Sequence, residues 1–157
     1  MKQSDLRDRA KKLGLYGILA HFDEFASELW LPHLLELEEE ERGKRSLERR
    51  IRSARIGRFK AFADFDWKSP TMIDRSLIEE LFTFEFLSEA ANVAILGPNG
   101  VGKTMLAKNL AYQAVLRGHA ALFVTASEML NDLAARDTAG ISRRLKRYTR
   151  PAVLVID

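Results

Sequence analysis

Eight consecutive residues, Gly97-Pro98-Asn99-Gly100-Val101-Gly102-Lys103-Thr104, satisfy the spacing G-x-x-x-x-G-K-[ST] at every position. Each position has a chemical reason. A polyphosphate must be enclosed without a bulky wall, so the backbone itself has to curl round it. Glycines at 97, 100 and 102 permit positive φ and close approach. Inward-facing N–H groups then form an anion nest, and a helix starting near Gly102 adds its positive end. Lys103 offers a charge to the β- and γ-phosphates, and Thr104 offers a hydroxyl to Mg²⁺. A second element is "AVLVID", residues 152–157, an apolar run ending in Asp157. A strand-end Asp following such a loop is the usual second magnesium determinant, acting through a bound water with Thr104 as the direct partner. Hydrolysis further needs a group that orients or deprotonates water. In many such ATPases that is a Glu directly after the strand-end Asp, a position this chain does not reach, so the catalytic residue stays unassigned.

A phosphate loop needs a strand before it and a helix after it. "NVAIL" (92–96) reads as that strand, and "TMLAKNLAYQAVLRG" has helical spacing with a glycine stop. "AALFV" is a second short apolar run. "SEMLNDLAAR" follows as a helix with Ser127 as its N-cap, then "ISRRLKRYTR" as a basic helix, then "AVLVID" as a third strand. Strand, helix, strand, helix, helix, strand is the rhythm of an α/β fold with a parallel sheet. Upstream, the apolar residues between 15 and 29 recur at three- and four-residue steps and predict helix over 5–31, with a break near Gly14. Pro32 opens the next helical stretch, and 33–60 forms one or two long helices. "FADFDWKSPTMIDRS" shows no period and reads as a linker. Beyond Pro70 a further helix is expected, from about Asp74 to Glu89.

Charge is segregated along the chain. The net is only +3, yet residues 42–60 hold nine Lys or Arg and one Glu. Part of this is the ordinary preference for acid at a helix start and base at its end, since "ELEEEE" precedes the arginines. The excess of arginine is more than that preference asks for. Leu47, Ile51 and Ala54 mark a buried face, and Arg45, Arg49 and Arg52 an exposed one that could meet nucleic-acid phosphates. "SRRLKRYTR" (142–150) ranks second, because it leads straight into a buried strand. There is no cysteine, which excludes disulfides and Cys-based metal sites. The three histidines, His21, His33 and His119, are too far apart in sequence to suggest a metal site. No apolar run approaches the ~20 residues of a membrane span, and "MKQSDLRDRAKK" lacks a signal-peptide core, so a cytoplasmic protein without a membrane role is expected.

The whole chain resembles the IstB-like ATP-binding proteins, helper ATPases of bacterial transposons that are related to the helicase loader DnaC. "LGLYGILAHFDEF" resembles their opening helix pair and "LERRIRSARI" their basic helix. "FADFDW" and the run from "DRSLIEELF" through the phosphate loop to "SEMLNDL" resemble the entry to their ATPase core. The resemblance implies a small helical, DNA- or partner-binding domain at 1–66 ahead of an AAA+ type P-loop core at 67–157. It implies ATP and Mg²⁺ as ligands, and double-stranded DNA, bound without sequence preference, together with a transposase as partners. It also implies a homo-oligomer. In that family a Glu follows the strand-end Asp, and later elements bring a sensor residue and an arginine finger. None of these lies in the 157 residues, so turnover is expected near background and enzyme status stays open. In AAA+ sheets a later strand lies between the phosphate-loop strand and the Asp-bearing one. The sheet is therefore expected to be incomplete, with 92–96 and 152–157 flanking a gap, open edges and a marginally stable core. Three other readings compete: a DnaC-type helicase loader, a non-enzymatic nucleotide- or DNA-binding remnant, and a small-molecule kinase. The kinase ranks last, because its loop would lie near the N-terminus and no acceptor site is visible.

Overall fold

The computed structural model describes residues 3–67, 73–134 and 140–157. The chain divides into two compact units, Met1–Glu48 and Arg49–Asp157.

The first unit is built from α1 (Gln3–Lys12), α2 (Tyr16–Ala20), α3 (Phe22–Phe25) and the front of α4 (Trp30–Ala54). The helical stretch breaks where glycine was expected to break it: Gly14 takes φ +62°, a left-handed value that ends α1. Leu6, Ala10 and Leu13 then face Phe22, Leu31 and Leu35 in one apolar cluster. Arg9 closes over that cluster with a two-pronged grip on Glu39, Nε to Oε1 at 2.9 Å and Nη2 to Oε2 at 2.7 Å. The hydrogen bond from Arg9 holds the Glu39 carboxyl below its usual pKa and raises that of the guanidinium. Pro32 sits in the first turn of α4, where a missing N–H costs little.

Residues 33–54 form one helix, and its charge pattern is partly self-neutralising. Arg42 pairs with Glu38 at 2.9 Å and Lys44 with Glu40 at 2.8 Å, both one turn apart. Helix α4 ends at Ala54, after which Arg55 takes φ +54°. Of the face expected to be buried, Ala54 is buried, Leu47 is half-buried and Ile51 is 36% exposed. Residues 49–66 group with the second unit. The reason lies in their contacts: Asn109 Nδ2 donates to the Lys60 carbonyl at 2.9 Å, and Phe59 packs on Tyr112.

In the second unit a 3-10 turn at Phe62–Asp64 precedes α5 (Arg75–Leu81) and α6 (Glu85–Ser88). One helix was expected over 74–89. Phe84 interrupts it with φ +67°, and its ring is buried. Asp74 caps α5 by accepting from Leu77 N at 3.1 Å. Pro70, read as a helix opener, lies outside the described residues. There follow α7 (Lys103–Leu116), β1 (Ala121–Val124), α8 (Ala126–Ala134), α9 (Ile141–Thr149) and β2 (Val153–Ile156). The N-cap of α8 is Thr125, whose Oγ1 accepts from Glu128 N at 3.1 Å, not Ser127, which lies two residues later, inside the helix.

Strands β1 and β2 pair in parallel, from Ala121 opposite Val153 to Val124 opposite Ile156. All four residues of β1 are buried, as a strand covered on both faces should be. Leu122 and Val124 face Tyr148, Met129 and Leu133 from α9 and α8. On the other face Lys108 of α7 lies over the Phe123 ring, 5.0 Å from its centroid. Exposure rises along β2, reaching 50% at Ile156. Residues 92–96, expected as a third strand, make no sheet pairing in the described structure. Val93, Ile95, Val153 and Val155 line one cleft of about 580 Å³. An apolar run becomes a strand only when a neighbour completes its hydrogen bonds, and here none does.

Candidate phosphate-binding site

The loop at 97–102 joins residues 92–96 to α7. Gly100 takes φ +84° and Gly102 φ +94°, left-handed values that a side chain would oppose. Gly102 is also the N-cap of α7, and the first intrahelical bond runs from Leu106 N to Gly102 O at 2.9 Å. The amides of Lys103, Thr104 and Met105 therefore precede the helical ladder and remain donors at its positive end. Helix α7 is held in place by burial of Leu106, Leu110, Ala111, Ala114 and Val115 against the sheet. The loop thus stands on a rigid helix.

Lys103 folds back over the loop. Its Nζ donates to Gly97 O at 2.8 Å and Pro98 O at 2.6 Å. This places the ammonium above the curl of backbone, within a short movement of any phosphate that enters it. Pro98, Asn99 and Val101 complete the loop without entering the helix.

Thr104 and Asp157 are 53 residues apart in sequence and meet in space. Thr104 Oγ1 donates to Asp157, 2.9 Å from Oδ1 and 3.2 Å from Oδ2. The sheet fixes this meeting. Asp157 N donates to Val124 O at 3.0 Å, and Asp157 O accepts from Ala126 N at 2.9 Å, so the carboxylate projects from a pinned backbone at the end of β2. A hydroxyl and a carboxylate suit a hard cation such as Mg²⁺, which takes few protein ligands and keeps several waters. A cation held at Thr104 Oγ1 would therefore have the Asp157 carboxylate within reach of one of its bound waters. Thr104 gives its proton to Asp157 and keeps its lone pairs for a metal, while Asp157 can also hold a metal-bound water. Among the described residues no group of three or more His, Cys, Asp or Glu is placed to hold a metal ion.

The arginines expected to meet DNA, Arg45, Arg49 and Arg52, are all exposed on α4. Arg45 Nε also donates to Glu41 O at 3.3 Å, which steadies its stem. In the second basic stretch the exposed Arg147 is paired with acid, 3.3 Å from Asp132 and 3.6 Å from Glu128. Tyr148 beside it donates to the same Asp132 at 2.6 Å, and burial raises its phenol pKa. These contacts weaken 142–150 as a nucleic-acid surface.

Sequence reading missed the aromatic group next to the loop. Phe62, Phe65, Trp67 and Phe82 pack together, with Phe62 and Phe82 centroids 4.4 Å apart and Arg75 over Trp67 at 4.9 Å. A Cβ built on Gly102 would lie 2.8 Å from Phe65 Cε2, so this ring occupies the side-chain place of the loop's last glycine. The only sequence signal was the density of aromatics in "FADFDW", which has no helical or strand period.

Comparison with known proteins places the fold and loop in context. The family model described as IstB-like ATP binding protein matches residues 1–157. A protein named for ATP binding in insertion sequence IS5376 of Geobacillus stearothermophilus is 34% identical, over 82% of this chain and 51% of its own length. Its counterpart in IS21 of Pseudomonas aeruginosa is 35% identical, over 74% of this chain and 44% of its own. A Mycobacterium tuberculosis insertion-sequence protein, also named for ATP binding, is 31% identical over 97% and 64%. The chain thus spans about half to two thirds of the length of the relatives it matches.

Proposed function

The chain belongs to the IstB-like ATP-binding protein family, and from that premise we propose that it binds Mg²⁺–ATP at 97–104 and acts as an ATP-dependent DNA-binding helper of transposition. The observation that carries the nucleotide half is the Thr104–Asp157 pair, which joins the end of β2 to the first turn of α7 beneath the loop. In this reading the loop amides and Lys103 hold the triphosphate, Thr104 ligates Mg²⁺ directly, and Asp157 holds it through a water. Bound there, the metal would neutralise phosphate charge. Asp157 is the one carboxylate lining the cleft among the described residues, and it is engaged with Thr104. Weak or absent hydrolysis belongs to the same reading, since no general base is assigned among the described residues. The AAA+ type of sheet, a helical N-terminal partner-binding region, a transposase partner and assembly into oligomers belong to the same reading. Relatives named for insertion sequences support it. Among the described residues no helix is long and apolar enough to cross a membrane.

The DNA half rests on Arg45, Arg49 and Arg52, exposed on α4 at i, i+4 and i+7. Fluorescence anisotropy with a duplex oligonucleotide across a salt series tests it. Replacing all three arginines by Ala should reduce the slope of log K against log salt by about three if each neutralises one phosphate. An unchanged slope would remove DNA contact from these residues.

A further inference from the structure

The side of Gly102 that any other residue would fill with a Cβ is taken by Phe65. The built Cβ meets Cε2 at 2.8 Å, Cδ2 at 3.6 Å and Cζ at 3.7 Å, closer than side-chain packing tolerates at the first atom. The ring has little room to withdraw. Phe65 is 6% exposed, and Trp67 and Phe62 hold it at centroid distances of 4.9 and 6.3 Å. The chain leading to it is fastened to the same helix that Gly102 caps. Asn109 donates to Lys60 O at 2.9 Å and Lys108 Nζ to Arg58 O at 3.3 Å. The ring is therefore registered against the loop by contacts about two turns further along α7.

We propose that Phe65 is a positioning residue of the nucleotide site: its ring edge packs into the missing side chain of Gly102 and holds the loop-to-helix junction in its left-handed conformation. It touches no phosphate and acts through Gly102. A glycine at a junction has more conformations to lose than any other residue. A wall on its open side limits them, so that the amides of Lys103 and Thr104 face into the loop before ligand arrives. Removing the wall lowers the fraction of chains with a competent loop, and the apparent dissociation constant rises by the same factor. This rests on the reading of 97–104 as a nucleotide cradle.

The test uses the full chain, a fluorescent ATP analogue with Mg²⁺, and melting temperature measured on each sample. Phe65→Leu keeps a buried apolar side chain without the flat ring edge. It should melt close to the unaltered chain yet bind about tenfold more weakly. Phe65→Ala should bind at least as weakly. Gly102→Ala drives a methyl group into the ring and should bind worst of the single variants. Combining it with Phe65→Ala removes the clash but leaves the strain of an alanine at φ +94°, so the double variant should lose less than the product of the two single losses. Phe65→Leu binding within about twofold of the unaltered chain would overturn the proposal, as would effects that simply multiply in the double variant. If Phe65→Ala does not fold, Phe65→Leu decides alone. An unaltered chain that binds no nucleotide overturns the cradle reading, and the role of Phe65 with it. Normal binding by the unaltered chain with an indifferent Phe65→Leu overturns only the latter.

Discussion

Asn109 is the one buried polar side chain among the described residues, 3% exposed, and its amide donates to Lys60 O at 2.9 Å and Met105 O at 2.8 Å. Asn109→Asp keeps the shape and removes the donors, setting carboxylate oxygens against two carbonyls. The neutral acid keeps one O–H to give. Burial and the facing carbonyls both favour that neutral form, so the folded-state pKa rises above the unfolded value of about 3.9. The folded chain then binds more protons than the unfolded one between the two pKa values, and stability falls as pH rises through that window. A rise of about two units makes the loss about 2.7 kcal/mol at pH 7 but only about 0.5 kcal/mol at pH 4. The weakened hydrogen bonding adds about 1 kcal/mol at either pH. For a unit of this size each kcal/mol moves the melting temperature by roughly 4–8 °C, giving a drop of about 20 °C at pH 7 and about 8 °C at pH 4. Calorimetry of the variant and the unaltered chain at both pH values reads the difference directly. Asn109→Leu, which cannot titrate, should show no such dependence on pH. Equal losses at pH 4 and pH 7, or a loss under about 3 °C at both, would refute the view that this amide fastens residues 55–65 to α7.

Two further outcomes follow from the site and from the first unit. Thr104→Ala and Asp157→Asn should each leave some nucleotide affinity but cut the gain that added Mg²⁺ brings, read by titrating nucleotide with and without the metal; an undiminished gain would remove these residues from the metal site. The Glu39 carboxyl is held low by Arg9, so its contribution to stability is present above its unfolded pKa and is lost as pH falls through the lower folded value. Thermal melts between pH 6 and pH 3 should therefore converge for the unaltered chain and Glu39→Gln at the acid end, and a constant gap would contradict this.

What the sequence makes legible is what local chemistry alone decides. The glycine spacing fixes the loop, and the periodicity of 103–116 and the valine-rich run at 153–156 require no distant partner to be recognised. The misreadings occur where a neighbour decides. "NVAIL" has the composition of a strand, yet a strand is a pairing, and residues 92–96 border the cleft unpaired. Asp74 to Glu89 reads as one helix, but Phe84, a buried residue, takes a left-handed conformation in its middle. Thr125 caps α8 in place of Ser127 because both can cap, and only the end of β1 sets which lies at the turn. The place of Phe65 against Gly102 could not be read at all, since the 36 intervening residues carry no signal of that contact.

The central claim is that backbone amides at 97–104 and the Lys103 ammonium hold a triphosphate. Titration of the folded chain with a fluorescent ATP analogue in Mg²⁺, beside Lys103→Ala, tests it most directly. The account predicts saturable binding by the unaltered chain and a loss of about tenfold or more in the variant, with the melting temperature little changed because Lys103 bonds only to exposed loop carbonyls. No saturable signal from the folded chain, or equal affinity in the two, would contradict it.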